Sequence, residues 1–208
     1  MELTGQFRNE PVANQMPRAR TPDKEEAILE AAARVFSGRP FHEVLIDDVA
    51  TAAGVGKGTI YRYFPTKDDL FFAAILHSFD RLSDALAESL AQETSPRRRL
   101  ERIAREVLSF SWGRRDLFTL LLNDERRFAK RDGELQKRRE AVSRLAQEAI
   151  LEGIRRREFR GIDARIGAEL FRGMIRAANT LRRPEDTLDG LVAEIVGIFT
   201  HGIERAQA

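Results

Sequence analysis

Two short apolar-periodic segments joined by Gly54-Val55-Gly56 constrain this chain more than any other feature. The first runs from Asp47 to about Ala53 and turns Ile46, Val49, Ala50 and Ala53 to one side; the second runs from Lys57 to Phe64 and is stopped by Pro65. A sharp exit from a helix needs a residue that tolerates the left-handed conformation, and Gly54 supplies it. Ala50 and Ala53 are small where two helices must cross closely, and Val55 and Ile60 are placed to plug the junction. This pattern predicts a helix-turn-helix, whose second helix is built to enter a major groove. Eight residues at 1.5 Å rise span about 12 Å, close to the width of that groove. The outward face then carries Lys57, Gly58, Thr59, Tyr61, Arg62 and Tyr63, with Phe64 assigned to packing because adjacent helical residues cannot both be core. Lys57 and the first amides of the helix suit a phosphate, Gly58 lets backbone approach, and Thr59 offers a hydroxyl and a methyl to a thymine.

The rest of the chain reads as helix. Fourteen glycines and seven prolines in 208 residues leave few breaks, and 33% of residues are charged, so the expected fold is all-α. Pro22 opens the first helix with Asp23, Glu25 and Glu26 in its first turn; Ile28, Ala32, Val35 and Phe36 share its buried face, and Gly38 and Pro40 end it. Thr66, with Asp69 three residues on, caps a long helix carrying Leu70, Ala73, Ala74, His77 and Leu82 towards Ala91. Ser95-Pro96 opens the next, which ends near Trp112-Gly113. Further helices are expected at Leu117 to Asn123, Glu134 to Arg157, Asp163 to Leu181 and Glu185 to Arg205. Residues 1–21, with Pro11 and Pro17 and little apolar pattern, read as a disordered arm, residues 22–68 as the helix-turn-helix head, and 69–208 as a second helical domain.

Several chemistries are excluded or disfavoured. With no cysteine, thiolate metal sites, iron–sulfur clusters and cysteine nucleophiles are impossible. The histidines, His42, His77 and His201, are far apart, and none follows a glutamate by three residues as in carboxylate-bridged di-metal bundles. His77 with Asp80 makes a two-ligand face, for which a partly buried histidine is the expected state. No nucleophile elbow or phosphate-binding glycine loop is present, so no catalytic residue, cofactor or metal is expected. Net charge is +2, and residues 1–67 hold nine basic and nine acidic groups, so a nucleic-acid role must rest on placement rather than bulk charge. A charged start and the lack of any run near 18 apolar residues predict a cytoplasmic chain without a membrane partner.

Ala27 to Phe36, Phe41, Ile46-Asp47-Asp48-Val49-Ala50, Ala53-Gly54-Val55, Lys57-Gly58-Thr59-Ile60-Tyr61, Tyr63-Phe64 and Lys67 together resemble the DNA-binding head of the tetracycline-repressor (TetR/AcrR) family of transcriptional regulators. The likeness covers about residues 22 to 72, and the Tyr61-to-Lys67 segment is its strongest part. It implies a homodimer that binds a palindromic double-stranded DNA operator and is released, as a repressor, by a small apolar or amphipathic effector. By the same resemblance Lys57, Gly58, Thr59 and Tyr61 lie at the groove, while Tyr63 and Lys67 hold phosphates. The chain departs from the pattern at Val44 and Leu45, where the family has a hydroxyl residue before the second helix, and at Gly56, where it has serine. Asp47 and Asp48 are expected to compensate at the helix dipole.

For the second domain, Phe79, Phe110, Trp112 and Phe171 are expected to face an effector cavity, from their positions on the helices that enclose the family's pocket. The arginine runs 97–99, 138–139 and 155–157 are expected to be solvated helix faces. The last two helices interleave small and apolar residues, among them Gly173, Ala177, Leu191, Ile195, Ile198 and Phe199, which suits close helix–helix contact between two copies. The resemblance implies that this contact is a four-helix bundle.

Overall fold

A computed structural model describes residues 22–112 and 132–203. The arm at 1–21, the helix expected at Leu117 to Asn123 and the segment after 203 lie outside the described residues. Among the described residues the chain is helical throughout, with α1 at Pro22–Ser37, a 3-10 turn at Phe41–Glu43, α2 at Ile46–Ala53, α3 at Lys57–Tyr63, α4 at Lys67–Leu90 and α5 at Pro96–Trp112. After these come α6 at Asp132–Arg155, α7 at Ala164–Leu181 and α8 at Leu188–Ile203.

The head forms because α1 presents a continuous apolar stripe: Ile28, Ala31, Ala32 and Phe36 are fully buried. Phe36 meets Phe71 edge-on at 5.0 Å, Phe41 meets Phe71 edge-on at 5.0 Å, and Phe36 stacks on Phe41 at 5.7 Å. Phe71 belongs to α4, so the boundary expected after residue 68 falls inside a helix that the two parts of the molecule share. That helix starts where expected: the Asp69 amide donates to the Thr66 hydroxyl at 3.0 Å, and the Thr66 amide donates to the Asp69 carboxylate at 3.1 Å. Such a reciprocal cap contributes about 1 kcal/mol. At 24 residues α4 runs about 36 Å, long enough to leave the head and enter the second domain.

In the second domain α4 to α8 pack around Leu82, Leu86, Leu100, Ile103, Leu108, Ile150, Phe171 and Val196, all buried. The arginine runs divide between roles that their sequence does not separate. Arg138 on α6 grips both carboxylate oxygens of Asp80 on α4, at 2.7 and 3.0 Å, a fork that fixes the two helices against each other. Arg155 and Arg156 pair locally with Glu152, in keeping with a solvated face.

The α6–α7 turn depends on a missing side chain. The ring of Phe159 folds back so closely that a Cβ on Gly153 would lie 2.1 Å from it, and the Gly153 carbonyl accepts from the amides of Glu158 and Phe159. Asp163 then caps α7, accepting from the amides of Arg165 at 2.9 Å and Ile166 at 3.2 Å, and the Ile166 bond is the main cause holding its carboxyl below the usual range. Gly153→Ala is expected to displace the buried Phe159 ring and to lower the unfolding free energy by about 1–3 kcal/mol, read from urea denaturation.

Candidate nucleic-acid interface

The turn between α2 and α3 has the backbone that glycine was expected to permit. Gly54 sits at φ 65° and ψ 32°, its amide donates to Thr51 at 3.2 Å and the Val55 amide donates to Ala50 at 3.0 Å. This is the paired C-terminal cap that satisfies the last carbonyls of α2 and reverses the chain. Ile60 is fully buried beneath the turn with Ala50, while Val55 and Ala53 pack partly buried against them. The outer face of α3 is thereby left to Lys57, Gly58 and Tyr61, all exposed, with Thr59 and Arg62 half-buried beside them.

The start of α2 compensates for its missing hydroxyl. The Leu45 amide donates to the Asp48 carboxylate at 3.0 Å, half of a reciprocal cap, and Arg39 pairs with the same carboxylate at 3.2 Å. Asp47 does something else: its carboxylate accepts from the Lys57 ammonium at 2.7 Å across the turn. That hydrogen bond and the charge behind it raise the pKa of Lys57 above its ordinary value, so the group on offer to a phosphate is a cation already held in position. Leu45 is 60% exposed beside this face.

One expectation, that Tyr63 faces outward while Phe64 packs, is corrected in its first half. Tyr63 and Phe64 are both buried, at 5% and 6% exposure. The helical spacing that was to keep one of them outside stops at Tyr63, since Phe64 is already extended at φ −129° and ψ 101°. Tyr63 lies 6.2 Å from the Phe64 ring and has the Arg62 guanidinium 5.4 Å from its own. Lys67 also has an inward partner: its ammonium donates to the carbonyl of Phe41 and lies 4.3 Å from the Phe41 ring, tying α4 to the 3-10 turn.

A cavity of about 230 Å³ opens in the second domain between α4, α5, α6 and α7. Phe79, Phe110 and Phe171 line it as expected; Trp112 does not, and its ring instead receives the Arg182 guanidinium at 4.2 Å. Leu82, Ile103, Val142 and Ile175 extend the apolar wall, and Arg139, Arg172, Arg176 and Asn179 supply polar groups that sequence reasoning missed. The signal for three of these was the spacing of Arg172, Arg176 and Asn179 along one face of α7. Arg172 is held by Glu169, whose carboxyl is kept below the usual range first by that arginine and then by Ser143.

The residues expected at a contact between copies divide. Ile195 and Phe199 are buried within the chain, where Phe199 meets Phe171 at 5.0 Å; Phe171 and Phe199 tie α7 to α8. Ile198 is 61% exposed, Ala177 is exposed, and Leu191 and Gly173 are half-buried. Leu170, expected among the apolar residues of this face, is exposed, and Ile166 and Leu181, not anticipated, extend the apolar stripe along α7.

Two family models match the chain: the bacterial regulatory proteins of the tetR family over residues 28–74, and the tetracyclin repressor-like C-terminal domain over residues 93–180. The chain belongs to the TetR family. It is similar to the HTH-type transcriptional activator FasR of Mycolicibacterium smegmatis, 30% identical over 97 residues, which are 47% of this chain and 43% of that protein. The match spans less than half the length of the curated relatives it first meets. Among solved structures, a transcriptional regulator from Saccharomonospora viridis in complex with choline superposes with a TM-score of 0.79 at 20% identity, covering 89% of this chain and all of that one. The regulator FadR from Bacillus subtilis in complex with stearoyl-CoA gives a TM-score of 0.70 at 20% identity over 86% of this chain and 98% of that one. At these identities the likeness is one of fold.

In this TetR-family chain α3 carries the exposed face of the helix-turn-helix. Asp47→Asn should tighten its binding to all duplexes alike, several-fold at low salt, because one negative charge leaves a surface that meets phosphates and Lys57 is released from its intramolecular partner. Fluorescence anisotropy on specific and scrambled duplexes reads the change.

Proposed function

We propose that this chain is a homodimeric repressor that reads a palindromic operator with Lys57, Gly58, Thr59, Tyr61 and Arg62 and lets go when an amphipathic effector with an anionic head fills the cavity. The observation that carries this reading is the double service of α4: Phe71 is part of the head's aromatic cluster, and Phe79 and Leu82, two to three turns further on, line the cavity. An effector that shifts α4 changes where the head sits, and a shift that alters the separation of two heads from one DNA turn lowers operator affinity. A coupling of about 1–3 kcal/mol, or 5- to 150-fold, is enough for a switch.

The effector's chemistry follows from the cavity wall. Apolar and aromatic side chains make the body of the site, three arginines and an asparagine lie on its wall, and no carboxylate lines it among the described residues. This favours an apolar tail with a carboxylate or phosphate head over a cation such as the choline held by the Saccharomonospora viridis regulator. Homodimerisation is supported by the stripe of Ile166, Leu170, Ala177 and Leu181 on α7 beside Ile198 on α8, an apolar surface which a second copy would cover.

Selection of duplexes from a random pool by the purified protein tests the operator reading: an enriched palindrome, bound by an even number of subunits with affinity falling steeply in salt, is the expected result. Enrichment of no sequence would overturn it. Leu170→Glu with Ile198→Glu should give monomers in sedimentation and remove operator binding. Arg176→Glu should weaken stearoyl-CoA, used as a probe amphiphile, by tenfold or more while leaving DNA affinity without ligand unchanged.

A further inference from the structure

His77 lies on α4 three residues past the stretch matched by the DNA-binding family model, at the point where the helix leaves the head. His77 is partly buried, as expected, and Asp80, which shares its helix face, is taken by Arg138. Two carboxylates of α1 approach His77 instead. Glu26 and Glu30 are one turn apart on α1, and an oxygen from each lies within 4.8 Å of the other and of a His77 ring nitrogen. Nε2 of His77 is wholly buried and has no hydrogen-bond partner. Neither glutamate has an ion-pair partner among the described residues, although Arg34 and Arg81 line the same cavity, of about 430 Å³, that Glu30 and His77 border.

The two carboxylates are exposed and solvated, whereas the buried Nε2 of His77 is left without the donor or cation that would satisfy it. We propose that Glu26, Glu30 and His77 form a site for a divalent first-row transition ion that clamps α1 to α4. Two oxygens and one imidazole nitrogen suit zinc or its neighbours better than magnesium or calcium, which take oxygen ligands alone. Three protein ligands leave at least one position for water, and the cavity has room for it. A tetrahedral ion with bonds near 2.0–2.2 Å needs donors about 3.4 Å apart, so the long glutamate side chains close in by an ångström or so on binding. The ion holds the body of the head to α4 just above the Phe36–Phe41–Phe71 cluster, and so stiffens the joint through which the helix carries the head.

The full chain, dialysed against chelator and titrated with zinc chloride by calorimetry, tests the site without reference to DNA or effector. The expected result is one ion per chain, a raised melting temperature and, with cobalt(II) as probe, visible ligand-field absorption. Glu30→Gln, a change at an exposed position, and His77→Gln should each cut zinc affinity tenfold or more and remove the cobalt bands, with helix content by circular dichroism unchanged. Asp80→Asn should leave zinc affinity as it is. Binding of less than one ion per chain, or equal affinity in the wild type, Glu30→Gln and His77→Gln, would overturn the proposal.

Discussion

The ring of Phe71 sits between Phe36 and Phe41, 5.0 Å from each, and through it the long helix α4 is rooted in the head. Burying a phenylalanine is worth about 1.5–3 kcal/mol, and each aromatic pair adds about 0.5–1.5 kcal/mol. With Leu70, Ala74 and Ile75 buried on the same helix, prising α4 from α1 costs several kcal/mol, more than the 1–3 kcal/mol typical of coupling between sites. In the proposed switch head and helix root therefore move as one body, and what happens around Phe79 is delivered to α3 rather than absorbed on the way. The Lys67 bond to the Phe41 carbonyl adds a polar tie at the same joint.

In the proposed switch the second domain moves α4 by small amounts. Its grip on the helix consists of apolar packing at Leu82 and Leu86 and the forked Arg138–Asp80 pair. The cavity lies beside that grip, with Phe79 and Leu82 in its wall. Packed interiors resist compression, so filling the space displaces whichever wall yields most easily. At the recognition face the Lys57–Asp47 bond engages the lysine within the chain, so a phosphate must take Lys57 from Asp47 before it gains the contact.

How much of this was legible in the sequence depended on the range of the interaction concerned. Gly54, the small Ala50 and the Thr66–Asp69 cap act within a few residues, and each stands in the structure as its chemistry requires. Tyr63 was misread because a periodicity argument fails where the helix itself ends, whereas Phe64 is packed as expected. The partner of Lys57 lies ten residues away across a turn, and the partners of His77 lie on another helix more than forty residues earlier, so only folding reveals them. Arg138 and Arg139 look alike in sequence, yet one step of a helix sends the first to Asp80 and the second to the cavity. Ile195 and Ile198 likewise differ only in which side of α8 they occupy, and that side is set by where α7 packs.

The central claim is that the state of the cavity sets the affinity of the head for DNA through α4. It is tested most directly by filling the cavity covalently, with Ala146→Phe and separately Ala168→Phe at two small buried wall positions, and measuring affinity for the selected duplex at fixed salt. The account predicts a loss of roughly 5- to 150-fold in operator affinity, with subunit association and melting of the head unchanged. Operator affinity equal to wild type in both variants, with the cavity shown to be occupied, would contradict it.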